Sequence, residues 1–203
     1  MTSQGAGNAS HSMPDLKLWY EDLTKVKNYL LINDPTLKQV FDKVDANNFL
    51  LHTAIKQPYP ALIGVIIGQR ITYVAAKKLR SALYSRYGTE FTPQQLHNQD
   101  LSFLGPTPAN IIKNVTTYIL QYNIDIAREA GIRSLIYVEG IGEWTINSTL
   151  ITSMINWNLF PTGDKFLHNR LIKLYGKNYN PSAIISKWSP YSSVVTWYLW
   201  RWF

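Results

Sequence analysis

The 203-residue chain contains no cysteine. Disulfides, iron–sulfur clusters and cysteine-ligated zinc are excluded in one step. The four histidines, His11, His52, His97 and His168, are scattered and show no ligand spacing. No apolar run approaches the roughly 20 residues that a membrane helix needs. The opening stretch, MTSQGAGNASHSMP, lacks the basic-then-apolar order of a secretory leader and reads as a disordered tail over residues 1–14. An intracellular protein with no membrane contact is the expectation.

Acids are scarce, and their scarcity is local. Thirteen of them face twenty bases, yet residues 1–64 hold six of each, so the whole excess lies beyond. Gly68 to Gly88 contains Arg70, Lys77, Lys78, Arg80 and Arg86 with no acid, and no acid follows Asp164. Segments of one sign suit a polyanion, nucleic acid first, or a solvated basic face with no partner.

Strand signals are few as well; what is present is helical periodicity. In ITYVAAKKLRSALYSRYG, Ala75, Leu79, Ala82 and Leu83 share a face, with Lys77, Lys78 and Arg80 largely off it. Ile146, Leu150, Met154 and Trp157 recur at three- and four-residue steps. Asp34-Pro35 supplies an N-cap and a first-turn proline for TLKQVFDKV, and PTPANIIKNVTTYILQYN reads as a further helix. The expectation is an all-α protein, compact over residues 15–203, in two helical lobes.

Between two of these helices stands VEGIGEWT, within a hairpin expected over residues 134–155. Gly140 and Gly142 permit a tight turn and expose backbone N–H groups at a helix N-terminus, an anion site. Ile141 would point inward and pin the helices. Alone, Gly-x-Gly is equally a plain turn between helices. LIYVEGIGEWT, however, resembles the helix-hairpin-helix of the DNA glycosylase superfamily. ALIGVIIGQRITYVAAKKL, NLFPTGDKFLHNRL and WSPYSSVVTWYLWRW resemble three further blocks, the last being similar to the end of the alkylbase (3-methyladenine) branch. In that order the four cover most of residues 55–203.

The resemblance implies double-stranded DNA with a damaged base as partner, a DNA and base-binding cleft between the lobes, and a monomer. It also implies flipping of the base out of the stack and hydrolysis of its N-glycosidic bond. Such cleavage leaves positive charge on the sugar, which a carboxylate near C1′ stabilises or meets with an oriented water. The family's aspartate maps onto Asp164, the isolated acid that is also placed to cap the helix KFLHNRL. Bifunctional relatives carry a lysine where this chain has Trp144, so a monofunctional enzyme leaving an abasic site is implied. Trp144 and Trp200 would be stacking walls for a cationic alkylated base, with core packing the other reading of Trp200. Ser148 stands where some relatives place an aromatic in the pocket. Gln69-Arg70 lies where the family inserts a side chain into the vacated stack. Thr72 would cap the basic helix, and Thr145 and Lys165 complete the expected DNA contacts. Glu139 and Glu143 depart from the family pattern by putting negative charge beside the hairpin. No organic cofactor is implied. A monovalent cation, Na+ or K+, held by the backbone carbonyls of Ile136, Val138 and Gly140 is. Two other readings remain: a hairpin DNA-binding protein without catalysis, and a glycosylase for a deaminated or oxidised purine.

Overall fold

A computed structural model describes residues 16–45 and 57–202. The expected tail at 1–14 lies outside the described residues. Among these the secondary structure is helical, with no strand.

α1 spans Leu16–Asn33. Asp34 caps the next turn, accepting from the Thr36 amide at 3.2 Å, and Pro35 opens it. That turn is 3-10 over Pro35–Leu37 before α2, Lys38–Phe41. α3, Pro58–Ile67, begins on proline, which lacks the N–H that a first turn leaves unpaired. α4, Tyr73–Tyr87, is capped by Thr72, whose hydroxyl accepts from the Ala75 amide at 3.3 Å. A capping box at Thr92 and Gln95 starts α5, Pro93–Leu96. α6 is Pro106–Gln121 and α7 is Glu129–Ser134, which runs on as a 3-10 turn, Leu135–Tyr137. α8, Glu143–Thr152, follows the glycine turn. α9, Lys165–Tyr175, is capped by Asp164; α10 is Pro181–Ser186 and α11 is Ser192–Arg201.

Two cores form two lobes. The middle lobe, α3 to α8, buries Leu62, Ile63, Ile66, Leu83, Ile112 and Ile132. The other is built from both ends of the described chain, α1 and α2 with α9 to α11, around Leu30, Val40, Leu171, Trp188 and Trp197. α8 belongs to both, giving Ile146 and Leu150 to the first core and Ile151 to the second. Its small mid-helix residues, Ser148 and Thr149, are both buried.

The periodicity of α4 needs a correction. Ala75 is exposed and Ala76 buried, while Arg80 turns inward and donates to the Gly64 carbonyl at 3.1 Å. The stripe read from apolar residues alone was rotated by about one position, because one of its cations is itself an inward member.

Candidate active site and nucleic-acid interface

Asp164 sits where the lobes meet. Its Oδ1 caps α9, accepting from the amides of Phe166 at 2.8 Å and Leu167 at 3.2 Å. Its Oδ2 accepts from two indoles, Trp144 Nε1 on α8 and Trp200 Nε1 on α11, each at 3.2 Å. A carboxylate has about four acceptor sites, and four donors converge on this one. Three helices thereby fix its position, and the two rings flank its outer oxygen. Trp200 is part-buried, and Trp144 is 44% exposed, an open aromatic face beside a fixed carboxylate.

The hairpin turns on Gly140, whose φ of +87° lies in the left-handed region. A Cβ there would come within 2.6 Å of the Ile111 side chain, so geometry and space both demand glycine. Gly142 differs. Its φ of −116° suits any residue, and an added Cβ would meet nothing within 4 Å. It is the N-cap of α8, yet no side chain caps that helix. Ile141 is buried between the helices, as expected.

Gln69 is not presented outward. Its amide donates to the Gly140 carbonyl at 3.2 Å and to the Thr145 hydroxyl at 2.8 Å. Thr145 is itself buried, so these two expected DNA contacts face one another and brace the hairpin against the end of α3. Arg70, next in the chain, is exposed with a φ of 57°, a conformation uncommon outside glycine. Ile71, Tyr73 and Val74 beside it are exposed too. Lys165 is exposed, one residue from Asp164. Ser148 is buried one turn beyond Trp144, and its hydroxyl has no hydrogen-bond partner.

Of the three carbonyls expected to hold a cation, Val138 O already accepts from the Ile141 amide at 3.0 Å, and Gly140 O from Gln69. A carbonyl has two lone pairs, so each retains one that fits a hard cation. Among the described residues no cluster of His, Asp and Glu offers a side-chain metal site. No helix among them is long and apolar enough to cross a membrane.

The Gln69–Thr145 brace and the double indole contact were not read from the sequence. Both join residues more than fifteen positions apart, and only the family's four-block pattern pointed to these neighbourhoods.

No protein-family model matches the chain. YfjP of Bacillus subtilis (strain 168) is 33% identical over 81 residues, 37% of this chain and 28% of that protein, so the chain matches little more than a quarter of it. DNA-3-methyladenine glycosylase 1 of Schizosaccharomyces pombe is 26% identical over 169 residues, 72% of each chain. The crystal structure of a DNA-3-methyladenine glycosidase from Bacillus halodurans superposes with a TM-score of 0.57 at 20% identity, over 87% of this chain and 88% of that one.

Proposed function

We propose that this chain, a member of the helix-hairpin-helix DNA glycosylase superfamily by its fold and its sequence likeness to the 3-methyladenine branch, releases alkylated purines from double-stranded DNA. The reading rests above all on Asp164, a carboxylate fixed at a helix N-cap between two tryptophans. A base turned out of the stack would lie against those rings, where a cationic alkylpurine gains from stacking and cation–π attraction. Asp164 then faces the sugar, stabilising the charge that develops at C1′ or orienting water for attack. Trp144 has no amine to form a Schiff base with the sugar, so the product is an abasic site without strand cleavage. The hairpin amides around Gly142 hold a backbone phosphate, and Arg70 fills the gap left by the base. A monovalent cation on the carbonyls of Ile136, Val138 and Gly140 would draw the turn together there. The protein works as a monomer inside the cell, on DNA in base excision repair.

The test is release of 3-methyladenine from methylated duplex DNA by the native protein and by Asp164→Asn. Asparagine caps helices as well as aspartate does, so the N-cap of α9 survives while the negative charge goes, and folding of the variant is checked by its melting curve. Release should vanish with DNA binding retained, and native turnover should leave alkali-labile sites but no nicks. Absence of release by the native protein, with DNA bound, would favour a non-catalytic hairpin protein or another lesion, such as a deaminated or oxidised purine. Equal release by both proteins would assign the chemistry to a different group.

A further inference from the structure

The loop between α3 and α4, Gln69–Thr72, is fastened at both ends. At its far end Thr72 caps α4, its hydroxyl accepting from the Ala75 amide at 3.3 Å and its carbonyl from the Ala76 amide at 2.9 Å. At its near end the Gln69 backbone N–H donates to the Ile66 carbonyl at 3.1 Å. The Gln69 side chain donates from Nε2 to the Gly140 carbonyl and the Thr145 hydroxyl. That nitrogen carries two hydrogens, so the hairpin engages both and leaves neither for DNA. Both acceptors are fixed in place: Gly140 makes the left-handed turn, and Thr145 is buried in the first turn of α8.

Between the two fastenings Arg70 takes a φ of 57°, which is unfavourable for a residue with a Cβ. Its side chain is exposed and forms no hydrogen bond or ion pair among the described residues. No contact of its own therefore holds Arg70 in that conformation; the anchors on either side impose it. Strain kept at an exposed side chain without a partner marks a group that is presented to something else. α3 and α8 share one core through Ile66, Ile67, Ile146 and Leu150. The Gln69 bonds thus close a short, rigid path from the hairpin to Arg70.

We propose that Gln69 is a positioning residue for the extruded state. It sets the direction in which Arg70 enters the duplex, in register with the backbone phosphate held by the hairpin, and Thr145 is its buried footing. Gln69 acts through Arg70 and not on DNA itself. A guanidinium is planar and stacks only when its plane lies along the bases, so the direction of entry decides whether the gap is filled. A phosphate on the α8 amides and a guanidinium in the stack are then two points at a set separation. An intact stack offers the first point without the second, and a strand whose nucleotide has left offers both. The inference rests on the reading of Arg70 as the side chain that fills the gap, but not on the identity of the lesion or on catalysis.

The experiment measures gap preference: the ratio of affinities for a duplex with a central abasic-site analogue and for the same duplex intact. Native protein is compared with Gln69→Met, Thr145→Val, Arg70→Ala and the double variant Gln69→Met/Arg70→Ala. Gln69→Met should lower the ratio by about tenfold, on the scale of the two hydrogen bonds lost. Thr145→Val, which removes one of them, should lower it by about threefold. The double variant should stand no lower than Arg70→Ala alone, since a residue that acts through Arg70 has nothing left to position. A merely structural role would weaken both duplexes alike and leave the ratio native. A native ratio in folded Gln69→Met, or a full further fall in the double variant, overturns the positioning role. Should Gln69→Met fail to fold, Thr145→Val, alone and combined with Arg70→Ala, decides in its place. A native ratio in Arg70→Ala would remove the plug from the proposed function and overturn the positioning role with it. Native gap preference without base release would sink the glycosylase reading and leave the positioning role intact; no native binding to DNA would sink both.

Discussion

Asp164 does two jobs that separate at the level of one atom. Oδ1 serves the helix, and Oδ2 meets the indoles. Asp164→Ala removes both roles and should cost about 1 kcal/mol through the lost cap, with the two indole bonds lost in addition, whereas Asp164→Asn keeps the cap, loses the charged acceptor of the indoles and should be the less destabilising of the two. The two should fail alike in base release, by at least about 100-fold if the carboxylate supplies the main electrostatic stabilisation. Calorimetry beside single-turnover release resolves the cap from the chemistry. Trp200→Phe and Trp144→Phe keep an aromatic face but each withdraws one donor from Oδ2. A hydrogen bond to a charged group is worth roughly 1.5–3 kcal/mol, so each should slow release by about tenfold or more. Unchanged rates in both would mean that the rings act by stacking alone.

The hairpin shows at the scale of an element how one motif hides two kinds of glycine. Gly140 is required by its positive φ and by Ile111, so Gly140→Ala should destabilise the fold by about 1–3 kcal/mol. Gly142 is required by neither. Serine is a somewhat better N-cap than glycine, so Gly142→Ser should raise stability by a few tenths of a kcal/mol, about 0.3, while weakening DNA binding by blocking close approach to the α8 amides. Chemical denaturation with DNA titration checks both halves; a Gly142→Ser protein that binds DNA like the native one would leave the hairpin without a phosphate. Which glycine does what was not legible in VEGIGEWT, since Ile111 lies some thirty residues away in sequence. The element itself was legible, as were the Thr72 cap, the inward Ile141 and the opening of α6, because capping and periodicity are local. Gln69 and Thr145 were assigned to DNA contact by resemblance, without their bond to each other. Their facing one another depends on how α3 packs along α8, which no local pattern records.

At the scale of the whole molecule, the terminal lobe must be closed by segments far apart in the chain, and buried polar groups carry that closure. Asp34, read from the sequence only as a cap, is 2% exposed and also accepts from Tyr175 Oη at 2.6 Å and Trp188 Nε1 at 2.9 Å. It ties the end of α1 to α9 and to the segment before α11. Tyr59 does the like in the middle lobe, bonded to Thr116 across α3 and α6. Burial pushes the phenols of Tyr59 and Tyr175 well above their ordinary 10, and the Asp34 carboxylate adds to the rise at Tyr175 while Thr116 opposes it at Tyr59. In the unfolded chain both phenols ionise near 10; in the native state they keep their protons beyond it. Below pH 10 the two states bind these protons equally, and the stability is fully present. Above it the unfolded state sheds protons that the native state retains, so stability falls as pH rises. Through these two phenols the melting temperature should decline past pH 10, while the Arg201 guanidinium, lowered to about 9 chiefly by burial, works the other way because the native state sheds its proton first. Tyr59 alone should contribute a slope of about 1.4 kcal/mol per pH unit. Tyr59→Phe should make the alkaline limb shallower by that amount, at the cost of leaving the Thr116 hydroxyl with only its bond to the Ile112 carbonyl. An alkaline limb of the same steepness in Tyr59→Phe would place the titrating group elsewhere.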